Sequence, residues 1–311
     1  MQGNWLTRIN YMRSAKYWIL FSLVLTLAGT IALFTMGLNK GVDFTGGFVF
    51  DVQFEEKVEA NKLRDLAQKV VNGDVQTQQA EIKGEAGPNA VEYFLRTPEL
   101  KPEVRSQLLK EMESLGKYKI VGEDNVSGAV SKELTQNALM AISIAAALQL
   151  IYIWFRFEFK FGVTAVAAIV HDAVVVLGLI AIFRVQINSA FVAAILTVLG
   201  YSMNDTVVVI DRIRENLAKR RKGEDLTDLT TRSIQEVITR SLYTGVSVQV
   251  MLICLLVFGG DTLWDFAMTL LIGVTSGTYS SIFIASALWL FWHQWEDNRK
   301  KAAPKAKPAK A

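Results

Sequence analysis

The chain has 311 residues, is 51% hydrophobic and is nevertheless 20% charged, with a mean hydropathy of +0.27, so apolar and charged residues must be segregated along it. Its formal net charge of +3 is spread beside the apolar runs instead of forming one basic patch, which argues against nucleic acid as a partner. A single cysteine, Cys254, leaves no disulfide framework and no cysteine zinc site within this chain.

Apolar runs cover Tyr17 to Met36, Leu134 to Phe155, Phe161 to Phe183, Ile187 to Ile210, Ser241 to Phe258 and Leu263 to Trp292. Each is near the roughly 20 residues that a helix needs to cross a bilayer. The expected fold is a polytopic α-helical membrane protein with six transmembrane helices plus one α+β ferredoxin-like extracytoplasmic domain. The expected division is a cytoplasmic N-terminus (1–16), a first span (17–36), an outer domain (37–133), a membrane domain (134–292) with a cytoplasmic link (211–240), and a basic tail (293–311). Arg8, Arg13 and Lys16 precede the first run, but that run is longer than a signal core and no A-x-A-like site follows it, so an uncleaved membrane helix is expected.

The outer segment opens with GVDFTGGFVFDVQF, in which Gly46 and Gly47 mark a turn and Phe48, Phe50, Val52 and Phe54 alternate as in a half-buried strand. KVEANKLRDLAQKVV follows at helical spacing. Two strand candidates, Val75 to Ile82 and Ala90 to Arg96, flank the turn-forming GEAGPN. Pro102 then starts a second helix, and Lys117 to Val121 forms a fourth strand. The order β-α-β-β-α-β is that of a ferredoxin-like unit. It carries no function by itself.

Orientation follows from the cations. Arg156 and Lys160, the stretch Arg212 to Arg240, and Arg299 to Lys301 all fall on one side, which places both termini in the cytoplasm and the outer domain in the periplasm. In the third span His171 and Asp172 sit near the centre. A catalytic metal site needs at least three protein ligands, and the other histidine, His293, is far along the chain. The pair is therefore read either as polar glue between helices or as a proton relay.

The fourth span places Asp205 within an apolar run, where a carboxylate costs at least about 2.5 kcal/mol and needs a partner. Arg240, at the mouth of the fifth span, is the candidate. Moving a fixed guanidinium charge toward or away from Asp205 would release or load a proton. The alternative is a static pair that fixes helix packing. Tyr201 shares the Asp205 face, and Gly200 with Asn204 makes the adjacent one; Asn204, Thr206 and Tyr201 are candidate supporting groups. In the sixth span Thr269, Gly273, Gly277, Ser281 and Ala285 recur every fourth residue, so Gly273 and Gly277 are expected at a close helix contact. The charged link from Leu217 to Thr239 is expected to be helical along the interface.

GYSMNDTVVVIDRIREN in span four, GVDFTGG after span one, HD in span three, ITRSLYTG in span five and IGVTSGTYSSIFIAS in span six together resemble the SecF side of the SecD/SecF family, within the resistance-nodulation-division superfamily. The resemblance covers nearly the whole chain. It implies a bacterial inner-membrane subunit, not an enzyme, that joins SecD beside the SecYEG channel and YajC and helps preproteins across. It further implies that Asp205 and Arg240 carry proton coupling, with no cofactor beyond a coupling ion, H+ or Na+. Membrane lipids are the remaining expected contact. The rival reading is half of a proton-coupled exporter of small molecules or lipids; a chain of six spans with one outer domain is half the size expected of such a machine.

Overall fold

The computed structural model describes residues 9–73, 75–80, 90–221 and 223–302. The expected turn at 84–89 and the end of the basic tail lie outside them. After a 3-10 turn, Met12–Ser14, the first membrane helix α1 runs Ala15–Met36. A two-residue strand β1 (Asn39–Lys40) and a single helical turn α2 (Val42–Thr45) lead into β2 (Gly47–Phe54). Then come α3 (Ala60–Val71), β3 (Gln76–Ala80), β4 (Val91–Thr97), α4 (Pro102–Met112) and β5 (Tyr118–Val126). The remaining elements are α5 (Gly128–Arg156), α6 (Phe159–Phe183), β6 (Gln186–Ile187), α7 (Ser189–Ala218), α8 (Leu226–Phe258), α9 (Asp261–Ser280), a π turn (Ser281–Ala285) and α10 (Ser286–Ala302). Six of these helical stretches are long and apolar enough to cross a membrane, the last running continuously through α9, the π turn and α10.

The four longer strands form one antiparallel sheet in the order β3-β4-β2-β5. The alternation in β2 decides its layers. Phe48, Phe50, Val52 and Phe54 all point into the core against Leu63 and Ala67 of α3 and Leu108 and Met112 of α4. Burying each large side chain contributes about 1.5–3 kcal/mol, which is what holds a small sheet-and-helix unit together. The double glycine is a backbone requirement: Gly46 has φ +73° and Gly47 φ +134°, and a Cβ on Gly47 would lie 2.1 Å from the Thr97 carbonyl oxygen.

Most of the expected link is helical, as the end of α7 and the first turns of α8. α7 runs on to Ala218 and α8 begins at Leu226, capped by the Asp225 side chain, so the link is the end of an antiparallel hairpin with a short connection. Its two arms are zipped by Arg212 to Glu236 (2.5 Å) and Asn216 to Ser233 (3.0 Å).

In the bundle, α7 is central and packs on α6, α8 and α9, while α1 packs on α6. Two glycine contacts set the approach. A Cβ on Gly273 would sit 2.1 Å from Val198 Cγ2, and one on Gly178 would sit 2.4 Å from the Gly29 Cα. The second of these, between α6 and α1, had no counterpart among the sequence expectations. Gly273→Ala should therefore lower the midpoint of thermal unfolding in detergent, by the equivalent of about 1–3 kcal/mol of overpacking. Gly200→Ala, where a Cβ would meet nothing within 4 Å, should leave that midpoint unchanged.

Candidate functional site

α7 begins with the Asn188 side chain accepting from the Phe191 N–H (2.9 Å), and Asp43 of α2 accepts from the Ser189 N–H (2.7 Å). Both supply acceptors to orphan helix donors. The segment between α1 and α5 thus holds the head of the helix that carries Asp205. β1 and β6 pair in parallel beside it, and Asp265 of α9 accepts from the Gln186 N–H (2.9 Å). Above this junction lies a cleft of about 450 Å³ between sheet and bundle, which includes Arg96, Asp43, Asp124 and Asp265. Burial pulls the Arg96 guanidinium below its ordinary value, and the Asp265 charge opposes that shift.

Asp205 is 9% exposed. Its Oδ1 accepts from Ser241 Oγ at 2.6 Å, and its Oδ2 has no hydrogen-bond partner among the described residues. The expected contact pair with Arg240 is absent here. Ser241 and Gly245 form the buried side of α8, so Arg240, about 100° round the helix, is exposed and makes no ion pair among the described residues. Its charge still reaches Asp205. Other cations toward the same end of the bundle are engaged: Arg156 with Asp211, Lys160 with Glu296, and Arg212 with Glu215 and Glu236.

Around Asp205, Thr206 is fully buried and shares a hydrogen bond with Ser281 Oγ (2.8 Å). Tyr201 is half-buried, with its hydroxyl against Gly245. Asn204 is exposed and, with Gly200, faces away from the bundle. Gly277 lies under Ser202 and Gly273 under Val198, so the smooth face of α9 meets α7.

His171 and Asp172 form a second polar centre. Asp172 is fully buried and accepts from Ser202 (2.5 Å), Ser276 (2.7 Å) and Ser280 (2.6 Å), while His171 bridges Asp172 (3.2 Å) and Ser22 of α1 (2.6 Å). His293 lies on Trp289, with ring centroids 4.3 Å apart. Among the described residues no three His, Cys, Asp or Glu side chains converge as metal ligands. Ser22, Ser202, Ser241, Ser276 and Ser280 were not anticipated; the four-residue step from Ser276 to Ser280 is the one signal that could have pointed to a hydroxyl-lined face.

Residues 105–295 match the family described as protein export membrane protein SecD/SecF, C-terminal, and residues 31–58 match the SecD/SecF GG motif. The protein translocase subunit SecF of Sebaldella termitidis is 37% identical over 281 residues, spanning 90% of this chain and 90% of that one. The protein translocase subunit SecDF of Thermus thermophilus is 35% identical over 303 residues, which cover 96% of this chain but 40% of SecDF. A crystal structure of SecDF, a translocon-associated membrane protein from the same genus, superposes with a TM-score of 0.81 at 32% identity, over 92% of this chain and 39% of that one. SecDF in a super-membrane-facing form gives 0.69 over 94% of this chain and 40% of that one. With a family match over more than half its length and a relative more than a third identical across nine tenths of it, this multi-pass membrane chain belongs to the SecD/SecF family of protein export membrane proteins.

Proposed function

We propose that the chain is an auxiliary subunit of the Sec protein translocase that works with a SecD-type partner and uses the proton gradient, through Asp205, to assist export of preproteins. It sits in the bacterial inner membrane with both termini cytoplasmic. Its β-α-β-β-α-β unit is a ferredoxin-like domain on the outer face, near SecYEG and YajC. The observation that carries the reading is Asp205 itself: a buried carboxylate with one oxygen bonded to Ser241, one oxygen open, and an exposed guanidinium on the neighbouring helix. An unfilled acceptor at that depth favours the proton-loaded acid, and an approaching Arg240 favours the ion. Displacing Arg240 is then equivalent to moving a proton.

The partner is supported by surface that lipid would not tolerate. Thr197, Gly200 and Asn204 on α7 and Arg240, Thr244 and Ser247 on α8 are exposed, and the Asn204 amide has no hydrogen-bond partner among the described residues. Polar groups at membrane depth face protein, not acyl chains. Small residues beside them permit a second helix to approach closely. The SecDF relatives, in which this chain's counterpart fills about two fifths of a longer protein, fit a subunit that completes itself against SecD.

Asp205→Asn should assemble normally with the partner and abolish the gradient-dependent part of preprotein secretion in vesicles supplied with SecA and ATP, leaving the gradient-independent part in place. Normal gradient response in that variant would remove Asp205 from the mechanism. Asn204→Cys should crosslink to a co-expressed SecD-type subunit; equal labelling by a membrane-soluble maleimide with and without that subunit would show that this face meets lipid.

A further inference from the structure

We infer that His171 and Asp172, with Ser22, form a second proton-holding site in the bundle, distinct from Asp205, and that the accepting atom is His171 Nε2. The inference rests on the proton-driven reading for its use but not for its existence.

Asp172 fixes the chemistry. Its Oδ1 accepts from Ser276 Oγ (2.7 Å) and faces His171 Nδ1 (3.2 Å), and its Oδ2 accepts from Ser202 Oγ (2.5 Å) and Ser280 Oγ (2.6 Å). A carboxylate has about four acceptor positions, and here three face serine hydroxyls and the fourth faces the His171 ring. A protonated Asp172 would need one of these donors to reverse, so the cage holds the acceptor form. Facing a carboxylate, His171 Nδ1 carries its hydrogen, which leaves Nε2 as the atom that can be bare or protonated.

The surroundings of Nε2 suit both states. Its partner, Ser22 Oγ at 2.6 Å, is a hydroxyl on another helix, α1. To bare Nε2 it donates; to Nε2–H it accepts, and the exchange needs only rotation of one O–H bond. The usual helical acceptor for Ser22, the Trp18 carbonyl, already receives the Tyr279 hydroxyl at 2.6 Å. When Nε2 takes up a proton the imidazolium neutralises Asp172, so the buried pair passes from net negative to net zero without moving a heavy atom.

The groups facing this pair come from each neighbouring element: Ser22 from α1, Ser202 from α7, and Ser276, Ser280 and Tyr279 from α9. The nearest other titratable groups along α7 are Tyr201 and Asp205, one residue before Ser202 and three after it. The lipid-side approach to His171 is a groove of about 320 Å³ lined largely by apolar residues, Phe21, Leu25 and Val175 among them. On the other side the site grips α7 through Ser202, whose carbonyl oxygen meets Ser281 Oγ, itself bonded to Thr206. A charge change at His171 is thus felt one turn from Asp205. The Ser22, His171 and Asp172 order also matches a hydrolase relay, but Ser22 lies inside α1, where backbone N–H groups are committed to the helix and none is left to stabilise an oxyanion.

The chain contains only two histidines, so the site can be read directly. In the full-length His293→Gln variant, nitrogen-15-labelled at histidine and reconstituted in liposomes with its SecD-type partner, nuclear magnetic resonance across a pH series should show Nδ1 protonated throughout and Nε2 passing between its protonated and bare forms. Ser22→Ala, which leaves the Asp172 cage intact, should move that midpoint, and Asp172→Asn should abolish the fixed Nδ1–H. A single Nε2 state across the range, or a titration unchanged in both variants, would overturn the proposal. Adding Asp205→Asn separates the two claims. If His171 still titrates while secretion keeps its gradient response, the role given to Asp205 falls and this site stands; if secretion loses that response and His171 still titrates, both stand.

Discussion

An ionised or ionisable group inside an apolar bundle must find its partners within the protein, and this requirement organises the rest of the molecule. Two carboxylates meet it in opposite ways. Asp172 is saturated by hydroxyls and an imidazole drawn from two other helices and its own, whereas Asp205 keeps one oxygen open. A saturated group has little reason to change state, since every alternative loses a bond. A half-satisfied one is poised, because a proton or a cation can complete it. The two centres lie on helices in direct contact, and Ser202 joins them.

The sheet-bearing unit between α1 and α5 is tied to the bundle through the head of α7, not through a flexible tether. Asp43 caps that head, the Gly41 N–H donates to the Ile187 carbonyl at 2.8 Å, and β1 pairs with β6. The double glycine immediately afterwards turns the chain into β2 with backbone angles that no other residue adopts easily. Movement of α7 would therefore pull on the segment that begins the sheet. Asp265, near the head of α9, grips the same junction through Gln186, so α7 and α9 share one anchor.

How much of this is legible from the residues depends on which physical signal carries it. The six spans are legible because length and apolarity suffice. The strand and helix order of the outer unit is legible because Phe48 to Phe54 alternate and Pro102 marks a helix start. Asp205, His171 and Asp172 announce themselves as polar groups in apolar runs. The partner of Asp205 does not: Arg240 and Ser241 are neighbours in sequence, charge draws the eye to the first, and only the rotational phase of α8 against α7 puts the second in the seam. Serines at helical spacing are common in membrane helices, so the Asp172 cage leaves no distinctive mark. The Gly29 and Gly178 contact is equally silent, since each glycine is isolated in its own helix, and no local pattern marks the π turn at Ser281–Ala285.

What holds α7 against α9 is then a question of magnitude. Gly273 beneath Val198 and Gly277 beneath Ser202 let the two helices approach closely, with few bulky side chains between them. The register rests on hydrogen bonds: Thr206 to Ser281, and Ser202, Ser276 and Ser280 converging on Asp172. Hydrogen bonds between membrane helices average about 0.6 kcal/mol each, so the whole set is worth on the order of 2 kcal/mol. One elementary charge crossing the membrane potential supplies about 2.3 kcal/mol per 100 mV. The two are comparable. A clamp of this strength keeps one register at rest and yields to a single charge movement, whereas an interlocked leucine interface would demand several such steps at once.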